Sequence, residues 1–400
     1  MNKTKSIQNL FTYGASQIIS LLAPFLVGFY VIPIFGIAKW GVIGVATSLY
    51  ILIGILIEFG ANLVGVKELS AHRLKYHYKK RYIGLNYTFR LYCTVFITLL
   101  LIICFLLFKA DTAFYWGLTW MLAWYFNPLW VYQANENFKI INFITIATKI
   151  IYIGVVYLFI KQPQHYIYIV GLLGFCNALF YAFFYFRIPK TITNIKRVWL
   201  FVNQNKAIVL SNFSITAYTQ APIFIIDALL GNTASGIYKV IDLFLTAYRS
   251  YLGVFFNVTF PRFCFEAQQN LKAAKTYVSK MLFLNVFLLT LSAFFIFIAM
   301  PYVTQYFNVP ENVQKGLHLS RFLLFLPVII ALNIPFYQAL IYNSQNKSIA
   351  FISIGGLLLT LFSVSLLTYF FNLSGSFAAL YIVELFITLC LFARGSKYLK

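Results

Sequence analysis

Acidic residues are scarce. Nine Asp and Glu stand against 31 Lys and Arg in 400 residues, and charged side chains total only 10% of the chain. A soluble protein carries about 25% charged residues, so this chain cannot cover a water-facing surface of its size. Cysteine is also sparse. Five are present, at 93, 104, 176, 264 and 390, with no CxxC and no Cys/His cluster. That excludes a disulfide framework and a recognisable metal site, and no cofactor is expected. Long polar stretches are missing too, so there is no room for a separate extramembrane domain. Lys3 and Lys5 precede a long apolar run without a small-x-small cleavage site, which reads as a retained first span rather than a removed signal.

What is abundant is apolar: 61% of residues, with a mean hydropathy of +0.81. At roughly 20 residues per membrane helix, the composition suggests an all-α polytopic protein of about twelve spans. Apolar runs and their breaks place them near 9–33, 42–66, 84–108, 112–133, 141–160, 166–187, 207–230, 237–260, 281–300, 317–342, 349–371 and 375–394. A pI near 9.7 would suggest nucleic acid in a soluble protein. The apolar fraction vetoes that, and basic cytoplasmic loops explain the charge. With the N-terminus inside, 22 Lys and Arg fall on cytoplasmic segments and four (Lys39, Lys109, Lys161, Lys315) on the opposite side. Both termini are therefore expected in the cytoplasm.

The chain reads as two halves of six spans, 1–200 and 201–400. Gly36–Gly41 joins the first two spans and Gly231–Gly236 joins the seventh and eighth, both as GxxxxG. A basic stretch follows each second span, at 67–83 and 261–280. Repeats of six spans insert the same way and relate by an axis along the membrane normal.

Ionisable residues inside spans cost at least about 2.5–3.5 kcal/mol at the bilayer centre and usually face a bundle interior or a wet cavity. On span eight, Lys239, Asp242, Thr246, Arg249, Gly253 and Asn257 share one face at helical spacing. Such a stripe suits a hydrated cavity. Lys239 and Asp242 could instead pair at i, i+3 as helix–helix glue, whereas Arg249 has no acid beside it in sequence. On span five, Asn142, Thr145, Lys149 and Tyr152 share a face. Lys149 either lines a cavity or pairs with Glu58 or Glu384. Glu58, Asp227, Asp242 and Glu384 either carry a coupling ion or pair with these cations. Thr47, Gly54, Glu58, Ala61 and Gly65 form a small face on span two that suits close helix packing. Arg90 and Arg321, near span ends, read as snorkelling to the interface. Pro24, Pro128, Pro222, Pro327 and Pro335 lie inside spans and should kink them.

Glu58-Phe59-Gly60-Ala61-Asn62, then Lys67-Glu68-Leu69-Ser70 with His72-Arg73, resembles the N-terminal signature of the Wzx-type O-antigen and polysaccharide flippases of the multidrug/oligosaccharidyl-lipid/polysaccharide exporter superfamily. Pro128, Trp130, Gln133 and Glu136 resemble that family's P-x-W-x-x-Q-x-x-E segment. Gly236-Ile237-Tyr238, Pro261-Arg262, and Gly375, Ala378, Ala379 and Glu384 look like further family features. Lys39-Trp40 departs from the acidic or Pro-Gly residues common in the first outer connector. The resemblance implies a V-shaped, MATE-like bundle of two six-helix lobes with a central cationic cavity. It also implies movement of an undecaprenyl-diphosphate-linked oligosaccharide from the cytoplasmic to the periplasmic face of a bacterial inner membrane by alternating access, with ion coupling. Polysaccharide polymerase and chain-length proteins are the implied partners, beside membrane lipid. Lys149, Arg249, Lys239, Asn142, Thr246 and Asn257 are the expected substrate contacts. An antiporter of drugs or cations would favour an acidic cavity instead. An enzyme of polysaccharide assembly would need a larger outer loop than 301–316, which holds only Glu311 and Lys315.

Overall fold

The computed structural model describes residues 3–72, 75–191, 195–306, 311–343 and 345–398. Arg73 of the signature lies outside them. The described residues are almost wholly helical and contain no strand. Eight stretches among them are long and apolar enough to cross a membrane. Four further features bring the arrangement to the expected twelve passes. α1 (Lys3–Phe35) holds a shorter apolar stretch, Ile19–Phe35. The fourth pass is broken into α5 (Thr112–Trp116), α6 (Thr119–Phe126) and α7 (Leu129–Ala134). α11 (Asn232–Gln269) is apolar but carries Lys239, Asp242 and Arg249. α16 (Asn346–Gly395) doubles back at Asn372 (φ 53°, ψ −142°). Thr368 and Ser376, about 12 Å apart along a straight helix, hydrogen bond there at 2.7 Å.

The chain divides into two compact units, residues 1–216 and 217–400. The division falls within α10 (Ile195–Leu230), beyond the 200/201 boundary read from the sequence. In the first unit α1 packs on α8 (Phe138–Phe159), and α6 packs on α9 (Tyr166–Tyr185). α2 (Ile37–Glu58) packs on both α6 and α9. The small face of span two is where it meets span four. A Cβ on Gly54 would stand 2.2 Å from the Trp124 ring, so only glycine admits this approach. In the second unit α11 packs on α12 (Leu271–Tyr306), and α15 (Ile334–Tyr342) packs on α16.

The two outer connectors share a backbone conformation as well as a motif. Gly36 has φ 81°, ψ 164° and caps α2; Gly231 has φ 80°, ψ 177° and caps α11. That region is open essentially to glycine alone.

Three spans are cut short or broken relative to the sequence reading. Span two ends at Glu58, not at 66, because Phe59 (φ 46°) and Gly60 (φ 74°) are left-handed. A π-helical turn, Ala61–Gly65, and a short helix, α3 (Val66–Ala71), follow. The Phe59 ring packs 4.5 Å from Phe89, which offsets its strained backbone. Span four breaks at Asn127–Pro128, because proline has no N–H to continue the ladder. Span ten is interrupted before Pro327 and Pro335, each of which starts a new helix, α14 (Leu326–Leu332) and α15.

Candidate functional site

In the first unit, Glu58 and Arg90 are both deeply buried. Arg90 lies on α4 (Tyr76–Leu107). It does not snorkel: it is fully enclosed and reaches the break in span four. Its Nη1 donates to the Trp124 carbonyl at 3.2 Å and to the Asn127 carbonyl at 3.0 Å. Tyr87 Oη donates to the same Asn127 carbonyl at 3.0 Å. These carbonyls lose helical partners when proline interrupts the ladder. Asn127 answers on its other side, donating through Nδ2 to Glu58 Oε1 and accepting from Leu129 N at 3.1 Å. Asn62 Nδ2 donates to Glu58 Oε2 at 2.7 Å. Glu58 and Arg90 are within electrostatic reach of one another. The family-like islands around 58–70 and 128–136 thus converge. Trp130, fully buried, packs with Ala61, Leu69, Ile83 and Tyr87, and Ser70 Oγ donates to the Ala134 carbonyl at 3.2 Å. Glu58 is held by these two amide hydrogen bonds.

Lys149 sits at the middle of α8, half-buried. Among the described residues of its unit no carboxylate meets it, and Cys176 of α9 lies within electrostatic reach. The alternative pairing with Glu58 is not formed, because Glu58 is committed to Asn62, Asn127 and Arg90. Asn142 is buried two turns before Lys149 on the same helix.

In the second unit, Asp242 is the hub. It is buried and accepts from Lys239 Nζ at 2.9 Å, the i, i+3 pair. Arg249 Nη1 lies 3.7 Å from the other Asp242 oxygen. Arg249 therefore does have an acid, two turns earlier on its own helix, within reach of a long side chain. Glu384 of α16 is buried, electrostatically close to Arg249, and its Oε2 has no hydrogen-bond partner. Two residues the sequence did not single out as site members join this group. Tyr218 and Tyr238 both lie within electrostatic reach of Arg249. Tyr238 belonged to a family-like island; Tyr218 carried no signal. Thr246, Gly253 and Asn257, on the same stripe, are exposed rather than buried. The stripe thus has a charged, paired part and an open polar part.

Asp227 stands apart. Its Oδ1 accepts from Ser235 Oγ at 2.7 Å, across the Gly231 connector. This fixes the turn between α10 and α11. Arg321 lies with its guanidinium 4.2 Å from the Phe297 ring centroid, stacked on its aromatic face, and its Nε has no hydrogen-bond partner among the described residues.

The helical membrane fold, with charged groups buried in each unit, has counterparts among solved structures. The chain is similar to an inward-facing multidrug resistance MATE family transporter of the MOP superfamily, at 12% identity and TM-score 0.63, over 98% of this chain and 94% of that one. It is also similar to a MOP superfamily transporter from Pyrococcus furiosus, at 12% identity and TM-score 0.61, over 98% and 95%. At these identities the likeness is one of fold. No curated protein sequence matches. The profile of the polysaccharide biosynthesis protein family matches residues 6–264, and the chain belongs to that family.

Proposed function

We propose that this protein is a flippase that moves an undecaprenyl-diphosphate-linked oligosaccharide across a bacterial inner membrane by alternating access. Lys149 carries this reading. An ammonium at mid-span costs about 2.5–3.5 kcal/mol on insertion scales, and no acid in its unit compensates it. A diphosphate headgroup would supply that charge. Arg249 and Lys239 add charge-assisted donors in the other unit, where they share the Asp242 carboxylate. The open polar residues Thr246 and Asn257 suit sugar hydroxyls, whereas Asn142 is buried. Membership of a polysaccharide biosynthesis family supports a glycan cargo over a drug. The Pyrococcus furiosus transporter of similar fold is described as having a binding pocket of reverse polarity that suggests a different function.

The reading places both termini in the cytoplasm and gives the chain a transport role rather than an enzymatic one. Polymerase and chain-length proteins would take up its product. Glu384 is the best candidate for the coupling ion, because it is buried without an ion pair among the described residues, whereas Asp242 is paired with Lys239 and Arg249 and Glu58 and Asp227 accept side-chain hydrogen bonds.

The test is complementation of a deletion strain. The Lys149→Ala, Arg249→Ala double variant should reach the membrane at the normal level and abolish surface polysaccharide. Intact polysaccharide would sink the proposal. Glu384→Gln should slow transport and remove its dependence on an ion gradient in vesicles; retained dependence would assign coupling elsewhere.

A further inference from the structure

The Lys67-Glu68-Leu69-Ser70 segment plays no part in the proposed transport site. It borders a groove of about 540 Å³ that lies wholly within the first unit. That volume falls within the range of roughly 300–1,000 Å³ usual for small-molecule sites. The groove runs between the start of α4 and the start of α10, on the side that the Lys and Arg distribution assigns to the cytoplasm.

Its chemistry is divided. Val64, Leu85, Leu200 and Phe201 give it an apolar wall, and Arg81 and Arg197 stand at its edge. Both arginines are exposed, and neither makes an ion pair or hydrogen bond with a described residue. The single acid, Glu68, is already matched. It accepts from Tyr78 Oη at 3.0 Å and lies 3.7 Å from His72 Nδ1. Beside Arg197, Trp199 is 66% exposed and Leu200 59%. Exposed tryptophan and leucine next to free arginine characterise helices that lie in the membrane interface.

We infer that this groove binds an anionic phospholipid of the cytoplasmic leaflet. The two guanidiniums hold the headgroup phosphodiester, and an acyl chain lies along Leu200 and Phe201. Guanidinium matches phosphate with paired N–H donors. The apolar wall gives no reason to hold a free phosphate, which has no chain to bury. The site is independent of the transport cations, since none of them lines it.

Full-length protein in neutral detergent can be titrated with phosphatidylglycerol, phosphatidylcholine or glycerol 3-phosphate and read by native mass spectrometry. Arg81→Ala with Arg197→Ala should weaken phosphatidylglycerol retention about 30-fold, the factor for two cations beside an anionic lipid. Phosphatidylcholine retention should not change. Glu68→Gln should strengthen phosphatidylglycerol retention about fivefold, and this opposite-signed variant decides the matter even if the double variant misfolds. Equal retention of phosphatidylglycerol by wild type and variants overturns the inference. So does equal retention of the two lipids by wild type. Competition by glycerol 3-phosphate as effective as that by the lipid would reassign the groove to a soluble anion.

Discussion

At the scale of single residues, the protein uses buried charge in two ways. Arg90 and Glu58 brace a broken helix. Lys149 remains without a carboxylate in its unit. Both are in-span ions in the sequence, and neither type nor spacing separates them. Arg90 looked like a snorkelling residue because it stands near a span end. Its real task depends on carbonyls freed at Asn127–Pro128, some 37 residues away in the chain. Only the folded unit brings them together. Arg90→Ala would leave the Trp124 carbonyl without this donor and remove the positive charge nearest Glu58, at a cost of about 1–3 kcal/mol, the usual penalty for unsatisfied buried polar groups. Arg90→Lys should recover part of this, because it keeps the charge and loses the planar fork. Thermal unfolding of the detergent-solubilised protein measures both. An unfolding midpoint of Arg90→Ala equal to wild type would mean the brace is not needed.

At the scale of elements, glycine and proline set where helices stop. The GxxxxG connectors were legible in sequence, and their first glycines prove to share one backbone geometry. A Cβ at Gly36 or Gly231 would meet no other atom within 4 Å. Substitution there costs backbone strain alone. Gly36→Ala and Gly231→Ala should therefore each destabilise by about 1–3 kcal/mol and by similar amounts. Urea or thermal unfolding of the two variants checks this; strongly unequal losses would mean that the connectors are not equivalent. The break at Phe59 was not legible, because a left-handed phenylalanine is no turn signal. Its ring packing on Phe89 and Phe201 holds it. Pro128 marked a kink, but not that span four would become three short helices.

At the scale of the whole molecule, the lopsided charge predicts orientation. Twenty-two Lys and Arg against four on opposite sides predict a single topology. Alkaline phosphatase fused after Gln164 should be active, and after Lys79 inactive. A fluorescent protein fused after Lys400 should fold and emit in the cytoplasm. An active phosphatase at Lys79 would invert the assignment.

Composition and charge distribution alone determined that the chain spans a membrane about twelve times, and they predict which way it inserts and which ionisable residues lie within its spans. These follow from transfer free energies, which each stretch of sequence carries locally. Tertiary structure decided how those ions are satisfied: Glu58 by hydrogen bonds from two asparagines with Arg90 nearby, Arg249 by Asp242, and Lys149 by no acid among the described residues of its unit. That depends on which helices lie against one another, because an ion pair needs two side chains within about 4 Å, and spacing along one chain does not fix what a neighbouring helix presents.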